Sequence, residues 1–416
     1  MNKKVKNILI IGTGARVESL ARKLRTYEGI EEIYAAPGNS FTSTNYKSID
    51  IREDDLTELL KFSLENNIDL TVPVSEKSLN ADVVSFFSAN GQNIFGPTFD
   101  ACNIAVNNAD GKKFLYKIHA QTSKFGIFDK LQAAEDYLKN AVFPVTIKCG
   151  KYSDREEDLL VCSTMSLARE FLSVLFSKNE TDILIEEFVY GKNFTIYFIT
   201  DGYSALPITT VANYKFMQDG DSGLYTKGLG CYAPDYKISQ VVVSRVENVV
   251  RNTLTSLANK NYPYMGIIGV ECTLTGEDKF MVNEFKPFLQ EHDISAVLSL
   301  IDDNLIDIFM SCINGFFADE YDSLNINNLS SVSASVLSRQ FNKQIKGVEN
   351  LEDLDNVDFI NIKRTNNNTY LTGKGPILSI NRTASTLSRA KKYLYEDLSE
   401  LNFEGIKYRK DIAQAL

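Results

Sequence analysis

The sequence predicts an α/β protein of several domains, and three observations predict it. Up to residue 100, short apolar runs alternate with amphipathic segments of helical period. From residue 183 to residue 286, β-branched and aromatic runs succeed one another around glycine-containing turns. After residue 327, strand-like runs stand beside a single helical segment.

Taken in order, "NILIIG" is followed by "RVESLARKL", "IEEIYAAP" by "DDLTELLKFSLENN", and "DLTVPV" by "VVSFFSANG". Apolar runs alternating with period-3.6 segments indicate a parallel sheet with crossover helices. A helix near "GKKFLYKIHAQ" comes next, then the strand "FPVTIK" ending on Lys148, then the helix "SLAREFLSVLFSKN". "DILIEEFV", "NFTIYFIT" and "SALPITT" read as consecutive strands of one antiparallel sheet, with Tyr190-Gly191 and Asp201-Gly202 at the turns. "VVVSRVENVVRNTLTSLANK" is a long amphipathic helix. "MGIIGVECTLT" and "KFMVNEF" form a hairpin about Gly276-Glu277-Asp278. A helix near residues 299–315 precedes the last segment, whose helix is "TASTLSRAKKYLYEDLSEL"; the asparagine-rich "NINNL" and "TNNNTY" are loops.

Composition sets the outer limits. At 416 residues the chain is long enough for two or three domains and a large core. The net charge of −10 argues against nucleic acid or an anionic membrane as the partner, because both need a basic surface. Six cysteines without a CxxC, and only two histidines, argue against zinc and for a reducing cytoplasm. The start, "MNKKVKNILIIGTGARVE", has the flavour of a signal peptide, but Arg16 and Glu18 break the apolar run. No stretch approaches the roughly 20 apolar residues of a membrane span. The expectation is a cytoplasmic protein, monomer or homodimer, acting on small molecules.

Three groups of residues can carry chemistry. "GTGARV" is a truncated GxGxxG with Val17 at the third glycine: either a tight turn, or an anion site at a helix N-terminus helped by Arg16. No acidic residue ends the second strand, which argues against a nicotinamide dinucleotide, and no P-loop is present. Lys148 leaves its strand as a phosphate-holding lysine does. The loop after it, Lys151 to Asp158, holds four carboxylates where a phosphate would want backbone N–H groups. It is expected to be exposed and mobile over 150–158. Glu186 and Glu187 lie in a further strand, and Glu271 and Glu284 on the two arms of the hairpin. Two such carboxylates either face solvent or hold Mg²⁺ together with phosphate oxygens.

Order and spacing of these residues resemble the phosphoribosylamine–glycine ligase family, ATP-grasp enzymes of purine synthesis, over nearly the whole chain. The matching pieces include "GTGAR", "APGN" (Ala36 to Asn39), Glu76 in "VSEKSL", "IFGPT", Lys148, "IEEFVYG", Leu206-Pro207, "YK" at 214–215, "SGLYTKGLGCYAP", "EF" at 284–285 and "YRKDIA" from Tyr408 to Ala413. The resemblance implies a parallel α/β domain over 1–120, an ATP-grasp lid subdomain over 121–190, a central ATP-grasp subdomain over 191–327 and a small C-terminal α/β domain over 328–416. It implies ATP and Mg²⁺ as cofactors. The activity it implies is the ATP-dependent joining of glycine to phosphoribosylamine: ATP phosphorylates the glycine carboxylate, and the amine of phosphoribosylamine attacks the acyl phosphate. Lys148 and Lys112 are assigned to ATP phosphates, Glu186 and Glu187 to the adenine edge, and Glu284 with Glu271 to the metal. Gly12, Gly14, Arg16, Pro37, Gly38, Asn39 and Glu76 fall along the phosphoribosylamine pocket, with Lys215 and Thr226 facing the substrates. Lys148 and Glu187 are expected to face each other across a cleft.

The departures fall where the chemistry needs residues. Glu156 stands at the cover-loop lysine, Asn108 at the helix lysine after "GPT" with Lys112 one turn on, Asn193 at the ribose-binding glutamate, and Lys286 at the asparagine that shares the metal with Glu284. The "GPNTGGMG" loop reads "GLYTKGLG", "RFGDPE" reads "FLQEHD", and "GGREH" reads "GARVE". Lys286 is expected to pair with Glu284, as a fixed charge replacing a metal or as an ion pair closing the site. Three functions follow: an active divergent ligase, a carboxylate–amine ligase with other substrates, or a non-catalytic paralogue binding a ligand or partner.

Overall fold

The computed structural model describes residues 4–39, 43–150, 158–351, 356–365, 367, 369–373 and 375–414. The first sheet is parallel throughout. It comprises β1 (Asn7–Gly12), β2 (Glu32–Pro37), β3 (Lys47–Ser48) and β4 (Leu70–Pro73), in the order β3-β2-β1-β4. Parallel sheets are buried on both faces, and β1 shows why its run is continuous: Ile8 and Ile10 enter one core, Leu9 and Ile11 the other. Helix α1 (Gly14–Arg25) packs through Val17, Leu20, Ala21 and Leu24, the spacing of one helical face.

The second sheet is antiparallel: β5 (Phe125–Phe128), β6 (Val145–Lys148), β7 (Leu159–Cys162) and β8 (Ile183–Glu187), in the order β5-β8-β6-β7. The helices Leu131–Leu138 and Met165–Ser177 close over it, with Leu138, Ile147, Leu172 and Ile185 in its core.

The third sheet is the largest. Its strands begin with β9 (Lys192–Gly202) and β10 (Ala205–Asn213). A small hairpin, β11 (Phe216–Gln218) with β12 (Ser222–Tyr225), stands outside it. The sheet continues in β13 (Gly230–Ala233), β14 (Tyr264–Gly276), β15 (Lys279–Lys286) and β16 (Ser330–Ser338). Of the remaining strands, β17 (Gln344–Ile345), β19 (Ile362–Arg364) and β20 (Tyr370–Thr372) make a sheet of their own; β18 (Val357–Phe359), β21 (Gly375–Ala384) and β22 (Ile406–Lys407) join the large one. The order is β15-β14-β9-β10-β13-β16-β21-β18, with β22 on β16, so hydrogen bonding runs unbroken from the hairpin to the C-terminal strands.

One expected connection is different. β8 does not pair with β9; both its edges are taken by β5 and β6, and the chain changes sheets at Tyr190-Gly191. Sequence neighbours usually pair, but Gly191 lies so close to β14 that a Cβ there would strike the carbonyl oxygen of Leu274. The pairing of β9 with β10 and the hairpin β14–β15 are as expected. The acidic loop, including Glu156, lies outside the described residues over 151–157. Its flanks Gly150 and Asp158 are buried, not exposed as expected.

Candidate active site

The second sheet and the hairpin β14–β15 approach each other, and lysines and glutamates fill the space between. Lys148, the last residue of β6, reaches Glu186 on the adjacent β8 at 2.8 Å and Glu284 on β15 at 3.2 Å. Glu186 also binds Lys112, which projects from the helix Asn108–Lys117, at 2.7 Å, and accepts a hydrogen bond from Ser123 Oγ at 3.1 Å. Glu271 and Glu284 are direct partners across the hairpin. Lys215 Nζ donates to Glu271 at 2.8 Å and to the carbonyl of Lys227 at 3.1 Å. Lys286, two residues along β15 and so on the same face as Glu284, forms ion pairs with Glu284 and, at 3.4 Å, with Glu271.

Charges so close decide one another's protonation. Burial disfavours the charged form of Glu186, yet Lys112 and Lys148 overcome it and hold its carboxyl down to about 2. Burial likewise opposes ionisation of Glu284, but Lys148 and Lys286 keep it well below the usual carboxylate range. Glu271 is lowered by Lys215 and Lys286 against the same penalty. Burial also works against the ammoniums of Lys148 and Lys286, and their glutamates raise both above ordinary lysine. Lys112 goes the other way, because its burial outweighs its partner Glu186.

One cavity brings together Glu76, Lys148, Lys215, Thr226, Glu271, Glu284 and Lys286; a neighbouring one adds Glu186, Glu187 and Asn193. Thr226 is held by the carbonyl of Lys215, to which it donates from its nitrogen at 2.6 Å and its Oγ1 at 2.8 Å. Lys148 and Glu187 do not face each other from opposite walls. They stand on adjacent strands of one sheet, because β6 and β8 pair, and the opposing wall is the hairpin β14–β15. Glu187 is half-buried and pairs with Lys124 at 3.6 Å. Asn108 donates to the carbonyl of Cys149 at 2.9 Å.

Gly12, Gly14, Pro37, Gly38 and Asn39 gather at the ends of β1 and β2. Asn39 accepts from Gly14 N at 2.6 Å and donates to Gly14 O at 2.9 Å. Arg16 links this corner to the cleft through Glu76, at 3.0 and 3.2 Å. Sequence reasoning missed Glu291, 3.3 Å from Arg16 Nε, and the buried group behind it. There Asp293 accepts from Tyr197 Oη at 2.6 Å and Asn213 Nδ2 at 2.9 Å, with His292 Nε2 at 3.1 Å. Arg409 was read only as part of a motif. Its fully buried guanidinium binds Asp411 at 2.6 Å and Asp221 at 3.0 Å, and donates to Phe216 O at 2.9 Å.

A parallel α/β unit, a small antiparallel sheet and a large sheet, closing on a floor of lysines and carboxylates, make an ATP-grasp protein. Two family models agree: the phosphoribosylglycinamide synthetase N domain matches residues 6–105, and its ATP-grasp (A) domain residues 108–289. The chain belongs to the phosphoribosylglycinamide synthetase family. The phosphoribosylamine–glycine ligase of Clostridium acetobutylicum is 27% identical over 98% of this chain and 99% of its own length. That of Lactococcus lactis is 28% identical over 97% and 98%. The crystal structure of the Thermotoga maritima phosphoribosylamine–glycine ligase has a TM-score of 0.81 at 19% identity, over 98% of this chain and 100% of that one. No helix among the described residues is long and apolar enough to cross a membrane.

Proposed function

We propose that this chain is an ATP-dependent carboxylate–amine ligase of the phosphoribosylamine–glycine ligase type, in which a lysine has taken over a metal position. The observation that carries the reading is Lys286, whose ammonium touches both carboxylates that would otherwise share an ion. Four lysines (Lys112, Lys148, Lys215, Lys286) meet three glutamates (Glu186, Glu271, Glu284) at the cleft floor. The four ammoniums give a polyphosphate several donors on one floor. Lys148, Lys215 and Lys286 are the residues that would hold its phosphates, and ATP would supply the phosphoryl group that activates the acid.

Mg²⁺ fits these residues poorly. Mg²⁺ held with ATP phosphates takes one or two protein carboxylates, and here both candidates, Glu271 and Glu284, are already paired with Lys286. An ion between Glu271 and Glu284 would meet the Lys286 ammonium. Two like unit charges about 4 Å apart repel by about 4 kcal/mol at an effective dielectric near 20, and a dication against an ammonium by about twice that.

The proposed subdomain division, with a lid over 121–190 hinged on a central part over 191–327, accords with the change of sheets at Gly191. ADP release measured with purified chain, ATP and paired acids and amines, glycine with phosphoribosylamine among them, tests the reading. Release that requires both an acid and an amine supports it. An ATPase silent with every pair, in protein that binds ATP, would refute it.

A further inference from the structure

Two cavities meet above the cleft floor, and their linings differ in kind. One is edged by Phe188, Val189 and Tyr190, with the rings of Phe188 and Tyr190 5.0 Å apart, an apolar rim that suits a purine base. The other is lined by Glu76, Lys215, Lys286 and Gln290, groups that suit a small acid and an amine. A phosphoryl group that leaves the nucleotide for the acid must cross from the first to the second.

Lys148, Leu159, Tyr225, Glu271 and Glu284 line both cavities and so mark the crossing. Leu159 is apolar, Glu271 and Glu284 are carboxylates, and Lys148 is already shared between Glu186 and Glu284. Tyr225 differs from all of these, because its hydroxyl makes no hydrogen bond among the described residues. Its place is nevertheless fixed from both sides. The ring packs edge-on against Phe216, its partner across the hairpin β11–β12, at 5.2 Å. The next residue, Thr226, is tied to the carbonyl of Lys215. Burial, with Glu271, Glu284 and Glu186 around it, pushes the phenol well above the usual tyrosine range, so the oxygen keeps its proton. A neutral hydroxyl can then donate to a phosphate oxygen without adding charge to the floor. The tyrosine is also this chain's own: "GLYTKGLG" carries it where the family loop "GPNTGGMG" carries asparagine.

We propose that the Tyr225 hydroxyl donates a hydrogen bond to the terminal phosphate of ATP, at the crossing between the two cavities. The proposal rests on the ligase reading above and deepens it by naming a group that holds the phosphoryl unit to be transferred.

Calorimetric titration of ATP and of ADP into the full chain, wild type and Tyr225→Phe, tests it without acid or amine. Phenylalanine keeps the ring on Phe216 and removes only the oxygen, so unfolding in urea should be unchanged. ATP should bind the variant about ten-fold more weakly, while ADP binds both proteins alike. Equal ATP affinity in the two proteins, an equal loss for ATP and ADP, or a wild type that binds neither nucleotide overturns the proposal. A variant that does not fold overturns it as well, since the hydroxyl would then have a structural partner. Because no acid or amine is present, the outcome is separate from that of the ADP-release assay: protein that binds ATP but stays silent there with every acid–amine pair refutes the ligase reading, whatever Tyr225→Phe does here.

Discussion

Lys286 and Glu284 stand two residues apart on one strand and form an ion pair on the floor of the cleft, with Glu271 3.4 Å from the same ammonium. The pair is sheltered: side-chain exposures are 15% and 25%. A lysine so placed puts one fixed positive charge against both carboxylates of the hairpin. The rest of the floor is built around it, since Glu284 also holds Lys148 and Glu271 also holds Lys215.

Removing Glu284 should therefore cost stability twice over. Glu284→Ala leaves Lys286 and Lys148 each short of one carboxylate in a poorly hydrated place, which should destabilise the fold by about 2–3 kcal/mol. Adding Lys286→Met should recover part of that loss. Urea unfolding of the single and double variants measures both, and a double variant no more stable than Glu284→Ala would show that the charges are not coupled.

Arg409 ties the C-terminal segment to the hairpin β11–β12. Beyond its bonds to Asp411, Asp221 and Phe216 O, it stacks on Tyr214 at 5.0 Å, and Gly220 N donates to Asp411 at 2.8 Å. Phe216, Asp221 and Tyr225 of this hairpin line the cleft. Arg409→Lys keeps the charge but loses the fork that binds two carboxylates at once. The expected result is a loss of about 2 kcal/mol in unfolding free energy together with weaker ATP binding. Calorimetry and denaturation on the same preparation check the two effects.

Acid should weaken the fold in two windows. His292 is neutral in the folded protein, because burial lowers its pKa from 6.5 to about 4 despite Asp293. Its unfolded form takes up a proton first, so stability is full above pH 6.5 and falls as pH drops towards 4, by roughly 3 kcal/mol at most. Glu186 is depressed from 4.5 to about 2, so its contribution is present above pH 4.5 and is lost as pH falls towards 2. Unfolding curves between pH 7.5 and 4 should show the first loss in wild type and a shallower one in His292→Gln.

The acidic loop is a separate lever. Glu156 and its neighbours carry negative charge into a segment that follows Lys148 directly. Replacing 151–157 by a glycine- and alanine-rich segment with lysine at 156 should tighten ATP binding. An unchanged affinity in calorimetry would show that the loop does not weaken the site.

Local pattern made much of this legible. The hairpin 264–286 could be read from alternation, and its turn from Gly276 to Asp278; alternation also put Glu284 and Lys286 on one face. What could not be read is what depends on contacts between distant segments. The engagement of the Glu186 carboxylate by Lys112, from a helix 74 positions earlier in the chain, and by Lys148 had no local signature. β8 was joined to β9 because they are neighbours in sequence, whereas strand pairing was decided by β5 and β6. Glu291 lay in the "FLQEHD" segment, but its partner Ala15 is 276 residues away, so nothing local marked the contact.

The central claim is that Lys286 stands where a metal would, and the ratio of ATP affinities with and without Mg²⁺ tests it most directly. Titration calorimetry on wild type should give a ratio near one, and Lys286→Asn should raise it about ten-fold, since the asparagine neither repels the ion nor pairs with Glu284. A wild-type protein that binds ATP at micromolar strength only when Mg²⁺ is present, with a ratio that Lys286→Asn leaves unchanged, would contradict the account.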